Sequence, residues 1–281
     1  MANANNRYAL ITGATSGFGY EFAKLFAADG YNLVIVARHE QHLDKTAEEL
    51  SQQYGVEVVP LPKNLFHPEA PFEIYEAVKA QNLTVDVLVN NAGQGEWGKF
   101  FETDLERELD IIQLNVSSLV VLTKLFLKDM MARNEGKILQ VSSLLGEIPA
   151  PLMAVYGASK AFVLKFSEAL IEELKDSAVT LTVLEPGVSD TDFFRKAGAE
   201  KTKAYQESDI ADPAEVARDG YRALMSGNSR IISGAKNQFQ SVMANVLPDS
   251  LNAAQMHRQM SESGERNRPV HGGGDAPPDH I

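Results

Sequence analysis

Tyr156-Gly157-Ala158-Ser159-Lys160 pairs a phenol with an ammonium. In a helix, positions i and i+4 share one face, one turn apart. A cation there stabilises a tyrosinate and lowers the tyrosine pKa from its usual value of about 10. The pair then forms a general acid/base usable near neutral pH. Ser143, thirteen residues upstream, adds a hydroxyl that can polarise a carbonyl oxygen, and Ser142 beside it competes for that role. Taken alone, Tyr-x-x-x-Lys is any helix face. Its meaning depends on the elements that position it.

The first of these elements lies at the N-terminus. Arg7 to Ile11 reads as a buried strand running into Thr12-Gly13-Ala14-Thr15-Ser16-Gly17-Phe18-Gly19. Helical spacing follows from Tyr20 to Asp29, with Phe22, Ala23, Leu25 and Phe26 apolar. Strand, glycine turn, helix is the context of a dinucleotide-binding turn. Gly13 permits the tight turn, Gly17 lets the backbone approach a pyrophosphate, and Gly19 lets the helix pack on the strand. The helix N-terminus offers N–H groups and a positive dipole end to phosphates.

The same alternation runs along the chain. Strands read at 7–12, 32–37, 56–61, 85–90, 136–142, 179–184 and 230–233. Helices read at 18–29, 40–54, 69–81, 104–133, 155–176 and 213–226. This predicts an α/β fold: a doubly wound, Rossmann-type parallel sheet of about seven strands with helices on both faces. Right-handed crossovers and a strand-order switch after the first strand place a ligand crevice at the C-terminal strand ends. The glycine turn, Asn90-Asn91-Ala92-Gly93, Ser142-Ser143 and Pro186-Gly187 all fall there.

Together these motifs resemble the short-chain dehydrogenase/reductase family over about residues 5–235. The glycine spacing and the four-residue Tyr–Lys spacing resemble its short, single-domain members. The resemblance implies hydride transfer between a nicotinamide and a carbonyl or alcohol carbon. Tyr156 would be the acid/base, Ser143 the oxyanion partner, and Lys160 the group that tunes Tyr156 and binds the ribose. Asn115 would hold a water linking Lys160 to solvent; an asparagine in an apolar helix is costly unless bonded. Asn90 would brace the central sheet. Thr15, Ser16, Phe18, Asn91, Ala92, Gly93, Pro186, Gly187 and Val188 would border the cofactor. Thr191 would bond its carboxamide.

An acidic residue about 20 positions beyond the glycine turn would bind a ribose hydroxyl and prefer NAD. Here Ala37 stands there and Arg38 follows, with His39 next. A guanidinium forms forked, charge-assisted bonds to phosphate, which predicts NADP(H). Ser16 supplies no second cation. Asn64-Leu65 departs from the family's aspartate-led pair at the adenine, although an amide can still accept that bond. The substrate end is expected among Gln94, Glu96, Trp97, Leu144, Leu145, Ile148, Pro149, Pro151, Leu152, Met153, Phe193 and Phe194. That lining suits a mainly apolar or mixed small-molecule carbonyl or alcohol.

At 281 residues and 44% apolar, the chain can bury a full core. The net charge of −12 argues against nucleic acid or an anionic membrane as partner. Val116 to Leu127, the most apolar helical stretch, is too short to span a bilayer. No cysteine is present, so thiol chemistry is excluded, and with no signal pattern at the start a cytoplasmic location is expected. Residues 1–235 read as one catalytic domain, with a substrate lid at 188–212, a helical extension at 236–262 and a disordered tail at 263–281. In that tail His271, Asp275 and His280 read as solvated, and no metal site is expected. Apolar faces on 104–133 (Leu119, Leu122, Leu125, Phe126) and 155–176 (Val163, Phe166, Leu170, Leu174) suggest a homodimer or homotetramer. The competing reading is an NADP(H)-binding sensor or scaffold without turnover. Such proteins usually lose the tyrosine or the lysine; both stand here.

Overall fold

In the computed structural model, which describes residues 7–264, all seven strands form one parallel sheet in the order β3-β2-β1-β4-β5-β6-β7. They are β1 (Tyr8–Thr12), β2 (Asn32–Ala37), β3 (Val58–Pro62), β4 (Val85–Asn90), β5 (Gly136–Val141), β6 (Val179–Glu185) and β7 (Arg230–Ile232). The central strands are buried along their whole length because helices cover both faces, which is why they read as unbroken apolar runs. The order reverses between β1 and β4, as expected, and opens the crevice there.

One face carries α1 (Gly17–Ala28), α2 (Glu40–Tyr54) and α9 (Pro213–Met225), packed through Phe22, Phe26, Leu43, Leu50, Val216 and Leu224. The other carries α3 (Ala70–Ala80), α5 (Leu119–Arg133) and α6 (Ala154–Glu173), packed through Ile74, Val78, Leu122, Phe126, Met130 and Leu164. Chain chemistry sets the ends. Asp104 caps α4 (Leu105–Ile112) by accepting the Arg107 N–H, and Asp212 with Pro213 starts α9.

Leu105–Arg133 is continuous helix, α4 joining α5 through a π-helical turn at Gln113–Ser118. It is 29 residues long and holds an 18-residue window of mean hydropathy 1.5, long and apolar enough to cross a membrane, which corrects the shorter span read from the sequence. Its buried face lies on the sheet, as a core helix of such a fold also would. The residues offered for subunit pairing need correction too. Leu119, Leu122, Phe126, Val163 and Leu174 are core; the exposed apolar residues on the same helices include Leu105, Leu109, Ile112, Met131 and Phe162.

The segment 188–212 is built of two short helices, α7 (Phe193–Lys196) and α8 (Lys203–Glu207). With Met153, Tyr156 and Met260 they form a third, smaller core. The extension is two helices, α10 (Ala235–Val246) and α11 (Asp249–Met260), separated at Pro248. Ser263, read as the start of a free tail, donates its N–H to Lys201 O at 2.8 Å, so the chain is still tied there. His271, Asp275 and His280 lie outside the described residues.

Candidate active site

The glycine turn is held from two strands. Gly13, at φ +69°, donates to Val36 O, while Asn91 Nδ2 donates to Thr12 O at 2.8 Å. Thr12 Oγ1 accepts the N–H groups of Asn91 and Ala92, both at 3.0 Å. Asn91 therefore clasps the turn. Asn90 points to the other side and braces the sheet through Thr123 Oγ1 at 3.0 Å. A Cβ on Gly19 would sit 2.1 Å from Gly13 O, and no flexible atom can yield there. Gly19→Ala should therefore cost about 1–3 kcal/mol by overpacking and open the turn. The expected readouts are a lowered melting temperature and at least about tenfold weaker dinucleotide binding in a fluorescence titration.

A cavity of about 810 Å³ runs from this turn along the C-terminal strand ends. One end is lined by Gly13, Thr15, Ser16, Gly17, Phe18, Arg38, Asn64 and Leu65, the middle by Asn91, Ala92, Gly93, Pro186, Gly187, Val188 and Thr191. Ser143, Tyr156 and Lys160 line the far end with Gln94, Leu145, Met153 and Phe193. These residues, widely spaced along the chain, thus border one continuous space. Ser16 caps α1 without a side-chain hydrogen bond, leaving the helix's first N–H groups to a ligand. A Cβ on Gly93 would lie 3.1 Å from Lys160 Nζ, so the backbone runs close beside the lysine. These features fit a dinucleotide: a phosphate cradle, then an open floor, then a cationic amine.

Of the two serines, both in the cavity wall, Ser143 is the one beside Tyr156. Ser142 Oγ is committed to Lys160 O at 2.8 Å. Ser143 starts the 3₁₀ turn Leu144–Gly146, accepts the Leu145 N–H and hydrogen-bonds Tyr156. Lys160 Nζ donates to Val141 O at 2.8 Å and lies 5.8 Å from the Tyr156 ring centre. The expected lowering of the tyrosine pKa is not what the protein fold sets up. Burial pushes Tyr156 up to about 12, and only the Ser143 hydrogen bond opposes it. Burial also pulls Lys160 down to about 8. The lysine's own charge is disfavoured here, so it does less for the phenol than the helix spacing implied.

Asn115 sits in the π-helical turn, where the wider turn sets its side chain apart from the helical ladder. Its Nδ2 donates to Gln94 O and Ser159 Oγ, both at 2.9 Å, and its Oδ1 accepts the Gln94 N–H at 3.1 Å. The amide locks the loop after Gly93 onto α6. Asn64 Oδ1 turns back to the Phe66 N–H.

Several lining expectations fail. Glu96 turns to Arg107, 3.6 Å away, and the Trp97 indole donates to Met260 O, so both fasten the loop. Pro149, Pro151 and Leu152 lie outside the cavity wall. Conversely, Lys63 and Phe66 border the cavity beside Arg38. The Phe66 ring lies 5.2 Å from the Arg38 guanidinium and 5.4 Å from that of Arg107. Their place directly beside Asn64-Leu65 was the available signal. Met243, Leu247, Gln255, Met256 and Gln259, from α10, α11 and the link between them, also line the cavity.

Residues 7–202 match the sequence profile of the family described as short chain dehydrogenase. The chain belongs to the short-chain dehydrogenase family. It is 36% identical over 185 residues to a very-long-chain 3-oxoacyl-CoA reductase of Anas platyrhynchos, covering 64% of this chain and 58% of that one. It is 36% identical over 209 residues to the protein of that name from Laccaria bicolor, covering 72% and 61%. The chain thus spans about six tenths of the length of these curated relatives. Among solved structures, a 7β-hydroxysteroid dehydrogenase superposes with TM-score 0.81 at 26% identity, covering 89% of this chain and 96% of that one. A short-chain dehydrogenase from Sphingobium yanoikuyae, in complex with NADPH, gives TM-score 0.77 at 26% identity, covering 93% and 98%.

Proposed function

We propose that this family member is an NADP(H)-dependent oxidoreductase acting on a carbonyl or alcohol of mainly apolar or mixed character. The observation that carries the reading is one cavity with Arg38 and Lys63 at its phosphate end and Ser143, Tyr156 and Lys160 at the other. When bound, the nicotinamide supplies or accepts the hydride. Tyr156 holds the proton that a carbonyl oxygen takes up on reduction, and receives it back on oxidation. Ser143 donates to the same oxygen as negative charge develops there. Lys160 binds the ribose and is placed to return a proton to Tyr156. Asn115 keeps the intervening loop in register.

The methionine-rich lining suits an apolar ketone or a thioester-bound 3-oxo group, the latter named for the relatives above. Both ketones and 3-oxoacyl thioesters belong in the first substrate screen. A homodimer or homotetramer in the cytoplasm is part of the proposal, with Leu105, Leu109, Ile112 and Phe162 as the pairing residues; light scattering of the pure protein tests the assembly.

Titration with NADPH and NADH tests the cofactor reading. NADPH should bind the wild-type protein more tightly. Arg38→Asp removes a charge-assisted bond and sets a carboxylate against the phosphate. NADPH affinity should fall by about 10–100-fold while NADH affinity changes little. Equal loss for both nucleotides would overturn the NADP assignment.

A further inference from the structure

Beside the Ser143 turn, two buried carboxylates share one partly exposed arginine, a charged cluster that the reaction described above does not use, although Glu147 also borders the cavity. Glu185, fully buried, ends β6 immediately before Pro186. Glu147 directly follows the 3₁₀ turn that Ser143 begins, and its side chain is 5% exposed. Arg230, the first residue of β7, bonds both. Its Nε donates to Glu185 Oε1, its Nη2 to Glu147 Oε1, and its Nη2 also reaches Glu185 Oε2 at 3.2 Å.

A carboxylate buried as deeply as Glu185 is a poor source of stability even when an arginine meets it from the surface, since desolvation offsets much of the attraction. Two carboxylates on one guanidinium are less favourable still, because one negative charge is left over. Burial and the neighbouring Glu147 push the Glu185 carboxyl up to about 7. What the cluster does achieve is geometric. The Ser143 turn is fixed at its start by Leu144 N–H to Pro186 O at 3.2 Å. It is fixed in its middle by Gly146, where a Cβ would meet the Lys160 backbone at 2.8 Å. The Glu147 side chain ties its end to Arg230. The same guanidinium holds the residue that leads into the Pro186-Gly187 floor.

We infer that Arg230, through Glu147 and Glu185, is a positioning residue that locks the Ser143 turn against the Pro186-Gly187 floor, so that Ser143 and Tyr156 meet one substrate oxygen. The inference rests on the reading of Ser143 as the oxyanion partner. A misplacement of about 1 Å in such a group costs on the order of a hundredfold in rate.

The test is a double-mutant cycle with NADPH and the apolar diketone benzil. Arg230→Met should lower kcat by about 10–100-fold in the Ser143 background. KM and NADPH affinity should change less than about threefold. In the Ser143→Ala background the same change should cost less than about twofold, because the group it positions is gone. An equal loss in both backgrounds, or an unchanged kcat in the first, overturns the inference. Glu147→Gln, nearly isosteric, carries the same cycle if Arg230→Met does not fold. Amide exchange separates this inference from the proposed function. Segment 143–147 should exchange about tenfold faster in Arg230→Met than in the parent, whether or not benzil is reduced. Unchanged exchange there sinks the inference, while failure of the parent to reduce any carbonyl counts against the proposed function.

Discussion

Tyr156→Phe should lower kcat by about 10²–10⁴-fold while leaving NADPH affinity within about twofold of the parent. The substitution removes one oxygen from a ring that stays where it is. Tyr156 is buried between Phe193, whose ring centre lies 4.8 Å away, and the small core shared with Met153 and Phe194. Phenylalanine fills that place, so stability should move little. What is lost is the phenol proton beside Ser143 at the far end of the cavity. Because burial holds the phenol protonated to about pH 12, the parent keeps its proton donor throughout the neutral range. Reduction therefore has its acid ready, while oxidation must remove a proton from a reluctant phenol. Steady-state kinetics in both directions, with the nucleotide titration run alongside, decides the matter. Turnover surviving in Tyr156→Phe would remove the catalytic assignment. A parent that binds nucleotide and reduces nothing would favour the sensor reading instead.

The centre of the sheet was legible because its strands are apolar runs closed by turn signals, and burial on both faces leaves no other use for such runs. The motif residues were legible because backbone geometry permits little else. Gly13 needs its positive φ, and Gly19 lies against a carbonyl oxygen. Interactions made only by the folded chain were not legible. Arg230 stands 45 residues from Glu185 and 83 from Glu147, with no spacing to announce the cluster. The direction of the Tyr156 shift depends on how much protein covers the ring, while the i, i+4 argument counted only the lysine. The π-helical turn at Asn115 has no pattern of its own, since one extra residue per turn is absorbed by a tertiary contact with Gln94. Amphipathic faces misled for a related reason. Leu119, Leu122 and Phe126 have the spacing of an interface stripe, but the sheet is the nearer partner.

Lys160→Met should abolish most activity and yet make the protein more stable. Burial lowers the Lys160 pKa from 10.5 to about 8. A base whose pKa is depressed by folding binds fewer protons in the folded state. Its favourable contribution is therefore present above pH 10.5 and is lost as pH falls through about 8. At pH 7 the buried amine thus costs about 3 kcal/mol relative to an unperturbed lysine. Methionine has similar length and no charge. It gives up the bond to Val141 O, worth about 1 kcal/mol, and removes the larger penalty. The net gain should be about 1–2 kcal/mol, a rise of about 2–4 °C in melting temperature at pH 7. The gain should shrink as pH is raised from 8 toward 10.5, where the parent lysine is neutral when folded and regains nothing by unfolding. Activity should fall by at least about a hundredfold in the same variant, with weaker NADPH binding, because the ammonium beside Gly93 is gone. In the parent, the reduction rate should be flat below about pH 8 and decline above it as Lys160 loses its proton. Calorimetry at pH 7 and pH 10 with an initial-rate profile gives both halves. A destabilised Lys160→Met at pH 7 would mean that the amine is well solvated in the folded protein and that the pKa argument is wrong. A strained charge kept where it lowers stability is expected of a group retained for chemistry.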